Sequence, residues 1–366
     1  MRCISFASEQ SKQRQRSNCA SVETKSSRLK LKFSLLDFLG YLFYTPTLFG
    51  PIVNYPQFYY QVIESKPLLN LRFSSNAYTN TVVKLFKLSF QVLFWLAFVH
   101  FSNELFFIHL IAKSPELVKD LDNFGATVFS KFAKPVDPHT STTHVIFVSL
   151  AWFYSQLFQA KYMVLYGVPT VMAFLDGAVS LPPLPIFASR VFLFSKAWKY
   201  FDAGLYNFLK EYIYIPCGGS KNPIRSSFLV FVFVYFWHGL KKSIFLWTVC
   251  NFLQICVEAF VRNQLIEIET KCRGSFQAKE DSWLLKLKRQ CSPSSWRRIL
   301  ALAGAVAYLW SIVGLQFFFF DYSVAVLLSS WTVFNFDLVF LGYLFNAYFW
   351  VQCIFSFENW IQGFHF

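Results

Sequence analysis

The feature that most constrains this chain is the recurrence of apolar runs on the length scale of a lipid bilayer. A spanning helix needs about 20 mostly apolar residues. Candidate runs occupy 34–53, 86–112, 144–175, 226–239, 243–261, 299–320, 322–334 and 338–356. Hydrophobic residues make up 55% of the 366 and charged residues 15%, against about a quarter charged in a soluble globular chain. The mean hydropathy is +0.39. The length would allow two or three soluble domains, but this apolar excess predicts one polytopic integral membrane domain. The expected fold is all-α, with roughly eight membrane segments, some re-entrant rather than spanning.

The boundaries follow from where the apolar runs begin and end. Residues 1–33 are polar and basic and are expected to form an unstructured tail. The membrane domain is expected over 34–360, with a short C-terminal tail at 361–366. No apolar core follows the N-terminal charges, so this stretch is not a secretory signal. Glu9 and Glu23 argue against a transit peptide. Residues 262–298 carry nine Lys or Arg against four Asp or Glu. By the positive-inside rule that segment and the basic tail are cytoplasmic.

The net charge of +14 does not indicate a nucleic-acid binder. The basic residues fall between the apolar runs and the aromatics fall inside them. A membrane lipid surface or an anionic cosubstrate is the expected partner. The eight cysteines contain no C-x-x-C pair, so neither a disulfide framework nor a zinc site is expected.

Titratable groups inside a membrane are costly and mark function by default. Two positions satisfy this best. His238 ends a run that passes from Phe228 to Trp237 without a charge. Asp202 lies among Trp198, Tyr200, Phe201, Tyr206 and Phe208. Histidine titrates near neutral pH and serves as a general base, and a carboxylate can orient it. Each residue also has a plainer reading. Asp202 suits a helix cap or a partner for Lys199, and His238 suits a helix end facing water or a carbonyl. His100 and His109 read as packing or interface residues, His139 and His144 as loop residues.

Three prolines, at 182, 183 and 185, end any helix there. The Pro- and Gly-rich region 176–225 predicts broken backbone around an internal cavity. Gly218-Gly219 after Pro216 reads as a tight turn.

The stretch WKYFDAGLYNFLKEYIYIPCGGS, with the apolar segment ending in YFWHG, resembles the core of the membrane-bound O-acyltransferase superfamily (MBOAT). The aspartate in YFDAGLYNFL narrows the resemblance to the Hedgehog acyltransferases, which are protein-cysteine N-palmitoyltransferases. Residues 41–58, 161–177 and 251–262 resemble flanking segments of the same enzymes, so the likeness covers about 34–360.

The resemblance implies a multi-helix bundle with an intramembrane reaction chamber in the endoplasmic reticulum membrane. It implies His238 as the catalytic histidine, Asp202 as its acidic partner and Trp198 as an aromatic lining the acyl-donor site. The implied donor is palmitoyl-CoA. The implied acceptor is a luminal protein with an N-terminal cysteine, either Hedgehog-like or EGF-like. Lys196, Lys199, Lys210, Lys221 and Arg225 are then candidates for drawing in the CoA phosphates.

Three departures accompany the likeness. Those enzymes carry further spanning helices before the segment like 41–58, so the domain reads as N-terminally shortened. Their haem-ligating cysteine is replaced by Phe187, so no tightly bound cofactor is expected by that route. Their arginine beside the tryptophan is Lys199, which keeps charge but loses the planar fork. Alternatives are a lipid O-acyltransferase, disfavoured by Asp202 where lipid-acylating members have asparagine, and a catalytically impaired regulator, disfavoured by retention of His238.

Overall fold

The computed structural model describes residues 1–19, 31–48, 50–63, 76–106, 116, 142–177, 182, 184–186, 193–273, 283–334 and 338–363. All regular structure among them is helical. In chain order the helices are α1 (Arg2–Cys19), α2 (Leu35–Phe43), α3 (Thr45–Leu48), α4 (Tyr55–Phe58), α5 (Asn76–Phe106), α6 (Thr142–Leu175) and α7 (Phe194–Phe201). They continue with α8 (Ala203–Leu209), α9 (Pro223–His238), α10 (Lys242–Arg273), α11 (Trp283–Gln290), α12 (Pro293–Phe319), α13 (Tyr322–Ser329) and α14 (Leu338–Gly363). Wider π turns extend α4, α8 and α13.

Four helical stretches among the described residues are long and apolar enough to cross a membrane: Thr79–Glu104, Lys242–Asn263, Pro293–Phe319 and Phe340–Phe357. The expected segment 144–175 forms one continuous 34-residue helix, α6, with Pro169 inside it, and the remaining ones are shorter or broken. Residues 34–53 divide into α2, a bend at Tyr44 and α3. At about 1.5 Å per residue, the 16 residues of α9 reach about 24 Å, less than the roughly 30 Å hydrocarbon core. Pro182 and residues 184–186 are irregular. These breaks agree with the re-entrant character read from the prolines.

The chain forms two compact units. The first comprises Met1–Leu105, Leu157–Ile186 and Trp198–Val230, and the second Phe106–Gln156, Phe187–Ala197 and Phe231–Phe366.

In the first unit the N-terminal segment departs from expectation. Arg2–Cys19 is a helix, and one face of it is tied down at many points. The Arg2 guanidinium donates to the carbonyls of Tyr41 (2.8 Å) and Leu42 (2.6 Å) and to Thr47 Oγ1 (2.8 Å). It thereby satisfies carbonyls that the end of α2 leaves open. Fully buried Ser5 accepts from Tyr55 N–H (2.8 Å) and donates to Tyr212 Oη (2.9 Å). Tyr212 in turn donates to Glu9 (3.3 Å). Burial first, with Glu9 adding to it, pushes the Tyr212 phenol above its ordinary range, so it stays protonated and can donate. Phe6 packs on Phe33, Phe38 and Tyr55 at 5.3, 4.8 and 4.7 Å between ring centroids.

Arg2, Ser5 and Glu9 recur at helical spacing, so they share a face. Composition does not reveal this face, because the partners of Arg2 and Ser5 lie 39 to 207 residues away in the chain. Residues 20–30 lie outside the described ones.

In the second unit α12 packs against α10 and α14. It buries Ala301, Gly304 and Ala305, small residues that let membrane helices approach closely. Ser292 caps α12 by accepting from Ser295 N–H (3.1 Å), and Pro293 takes the first turn, where no donor is needed. Polar pairs add to the packing. Gln254 donates to Ala307 O (2.9 Å) and Ser311 Oγ (3.0 Å), and buried Gln316 joins Thr332 and Ser329 at 3.0 and 2.8 Å.

Candidate functional site

Asp202 stands between α7 and α8 with φ −136°, ψ 86°, a break in helical geometry that ends one helix and starts the next. Its Oδ1 accepts from Leu205 N–H at 2.9 Å, capping α8. Its Oδ2 accepts from Tyr166 O–H at 2.5 Å, a short charge-assisted bond. The residue is 7% exposed. Of the two plain readings of Asp202, the cap is the one observed, while Lys199 lies over the ring of Tyr200 at 5.1 Å.

The cap is held by packing on α6. Tyr162 lies 5.2 Å from Tyr166 and 5.4 Å from Phe201, and Phe158 stacks on Phe201 at 6.4 Å with an interplanar angle of 10°. Gln159 on α6 donates to the Ile186 carbonyl, and Ile186 N–H donates to Tyr200 O at 3.3 Å. The glycine of F-D-A-G has a steric reason. A Cβ on Gly204 would meet the Ile52 carbonyl oxygen at 2.2 Å, so no other residue lets α8 approach the 50–53 segment this closely.

His238 is the last residue of α9 and belongs to the second unit, whereas Asp202 belongs to the first. Its Nδ1 lies 2.8 Å from Val234 O. A carbonyl only accepts, so Nδ1 carries the hydrogen and the neutral ring presents its lone pair at Nε2. Nε2 has no hydrogen-bond partner among the described residues. The half-buried ring sits edge-on among Trp237 (4.6 Å), Trp247 (5.2 Å) and Phe318 (5.6 Å).

The glycine of W-H-G is required by conformation, not by space. Gly239 has φ +102° with open surroundings, and Leu240 follows at φ +55°. This left-handed turn stops the helix immediately after the imidazole.

Trp198 is half-buried on α7. Lys199, Lys210, Lys221 and Arg225 are exposed and Lys196 is half-buried. Gly218 and Gly219 form the expected turn, with φ +119° and +53°. Phe187 lies outside the described residues; phenylalanine has no atom able to ligate haem iron. His109, His139 and His365 also lie outside them.

Two residues escaped the sequence reading. Tyr166 gave no local signal, because its partner lies 36 positions on. Glu258 did give one: it is a lone carboxylate within the apolar stretch Lys242–Asn263. It accepts from both the backbone N–H (3.1 Å) and the hydroxyl of Ser195.

The chain matches the family model for membrane-bound O-acyltransferases over residues 3–278. It is 31% identical over 274 residues to mouse protein-cysteine N-palmitoyltransferase HHAT, covering 73% of this chain and 46% of that protein. Against Drosophila melanogaster protein-cysteine N-palmitoyltransferase Rasp it is 28% identical, covering 62% of this chain and 40% of Rasp. Against the membrane-bound O-acyltransferase GUP1 of Saccharomyces cerevisiae it is 24% identical, covering 59% and 33%. The chain thus spans less than half the length of these curated relatives. The two motif regions that hold Asp202 and His238 both fall inside the matched 3–278, and the chain belongs to the membrane-bound O-acyltransferase family.

Proposed function

We propose that the chain transfers a palmitoyl group from palmitoyl-CoA to the N-terminal cysteine amine of a secreted signalling protein, Hedgehog-like or EGF-like, in the endoplasmic reticulum membrane. His238 is the catalytic base, Asp202 its acidic partner and Trp198 part of the acyl-donor site. The observation that carries this reading is the tautomer of His238. With Nδ1–H bound to Val234 O, the basic nitrogen is Nε2. The similarity to two protein-cysteine N-palmitoyltransferases supports the acceptor.

The chemistry is amide formation. The amine nitrogen attacks the thioester carbonyl, an N–C bond forms and the C–S bond breaks. The amine proton passes to His238 Nε2 and from there to the departing CoA sulfur, leaving an amide and CoA thiol. A base matched to the operating pH contributes typically 10²–10⁴-fold. The aromatic surroundings exclude water that would hydrolyse the thioester. Apolar walls hold the acyl chain at about 0.8 kcal/mol per buried methylene. Palmitoyl-CoA acts as cosubstrate, and the proposed chemistry uses no tightly bound cofactor.

The likeness to a protein named as an O-acyltransferase favours one second reading, a lipid hydroxyl as acceptor. One experiment separates the two. The detergent-purified chain receives labelled palmitoyl-CoA with a Cys-initiated peptide, the same peptide N-acetylated, or a lysophospholipid. Label on the free-amine peptide alone is expected. Label on the lysophospholipid alone would replace the protein acceptor with a lipid one. Folded protein that labels neither would contradict both readings.

A further inference from the structure

We infer that Glu258 is a positioning residue for the acyl-donor site, acting through helix α7; this rests on the acyl-transfer reading. A carboxylate within a membrane-crossing helix costs several kcal/mol unless it is paired. Glu258 lies between Lys242 and Arg262 on α10, with only apolar and uncharged residues intervening. Its pairing is directed at one residue. One carboxylate oxygen accepts from Ser195 N–H at 3.1 Å and the other from the Ser195 hydroxyl.

Ser195 is the second residue of α7, in the turn where backbone N–H groups have no partner within the helix. The first turn of α7 contains no acidic residue of its own. Glu258 therefore supplies from another helix both the cap and the negative charge that this end favours, while Lys199 supplies positive charge at the other end. Trp198 stands three residues beyond Ser195, so the tie fixes the rotation and start of the short helix that presents it.

An eight-residue helix lacks the length to hold itself. Glu258 closes its first turn with both carboxylate oxygens on Ser195. A general structural role would predict a loss of stability spread over the chain. A positioning role predicts a local loosening of α7 and a weaker acyl-donor site.

Two readouts test this. The first is backbone hydrogen exchange across residues 194–201. The second is the Kd for palmitoyl-CoA thioether, a donor analogue that cannot transfer its chain. Glu258→Leu, which keeps an apolar side chain in the bilayer, is expected to speed exchange in 194–201 while leaving α12 unchanged, and to raise Kd about tenfold, equivalent to about 1.4 kcal/mol. Glu258→Gln, which retains one acceptor oxygen, is expected to recover most of both. Ser195→Ala, which loses only the hydroxyl, is expected to raise Kd two- to threefold, with little further effect in Glu258→Leu.

Thioether binding by the wild type with an unchanged Kd in Glu258→Leu would overturn this inference alone. Unchanged exchange in 194–201 would do the same, whatever the affinity. A wild-type chain that binds no thioether would overturn the acyl-transfer reading and this inference with it.

Discussion

Asp202 and His238 are both polar residues in apolar surroundings, yet their environments differ in kind. Asp202 is buried, with one oxygen on the α8 amide Leu205 N–H and the other on the Tyr166 hydroxyl. His238 has one nitrogen committed to its own helix and the other without a hydrogen-bond partner among the described residues, in a ring packed against Trp247 and Phe318. The carboxylate is engaged in holding backbone and side chain together. The imidazole is fixed in orientation and keeps a lone pair. Two residues with equal claims as catalytic groups in the sequence therefore differ in the structure: Asp202 has both oxygens engaged, and His238 keeps one ring nitrogen without a hydrogen-bond partner among the described residues.

That contrast makes predictions about thermal stability in detergent, which should decline in size from one side of the comparison to the other. Asp202→Leu is expected to cost most. It removes the cap and leaves a buried hydroxyl and a buried amide unsatisfied, at about 1–3 kcal/mol each. A melting temperature equal to wild type would show that neither bond contributes. Tyr166→Phe removes one of the two bonds and is expected to cost about 1–2 kcal/mol, and it should be non-additive with Asp202→Leu in a double-mutant cycle. Full additivity would mean that the 2.5 Å contact carries no energy.

Asp202→Asn keeps an acceptor for Leu205 N–H, and asparagine caps as well as aspartate. Its amide nitrogen cannot accept from the Tyr166 hydroxyl, so its melting cost is expected to reach at most that of Tyr166→Phe, about 1–2 kcal/mol, while the transfer rate falls at least tenfold if the charge supports the imidazole. An unchanged rate would reassign Asp202 to capping alone. His238→Ala is expected to cost less than Asp202→Leu, because it removes one hydrogen bond within its own helix and the edge contacts of a half-buried ring, and leaves no buried polar group unsatisfied. A large drop in melting temperature would make the imidazole a structural residue.

The same contrast explains what was readable from the sequence. Membrane character, helical class and the breaks at Pro182 and Pro185 depend on local composition and were visible. So were Asp202 and His238, because a polar residue within an apolar run is a local anomaly. The glycines beside them were visible, but their reasons were not. Gly204 is needed because the Ile52 carbonyl is 2.2 Å from where a Cβ would stand, and that neighbour is 152 positions away. The helix Arg2–Cys19 was read as a solvated tail for the same reason. Its charges meet Tyr41, Leu42 and Tyr212, and no rule of spacing links them. Glu258 met the same criterion as the other two, a titratable group in an apolar run, and went unweighed beside them.

On the proposed reading His238 supplies a base and little architecture. The most direct measurement is the initial rate of label transfer from palmitoyl-CoA to a Cys-initiated peptide, wild type against His238→Ala, at matched melting temperature. A fall of about 10²-fold or more is expected in the variant. A rate within a few-fold of wild type in a folded His238→Ala protein would contradict it.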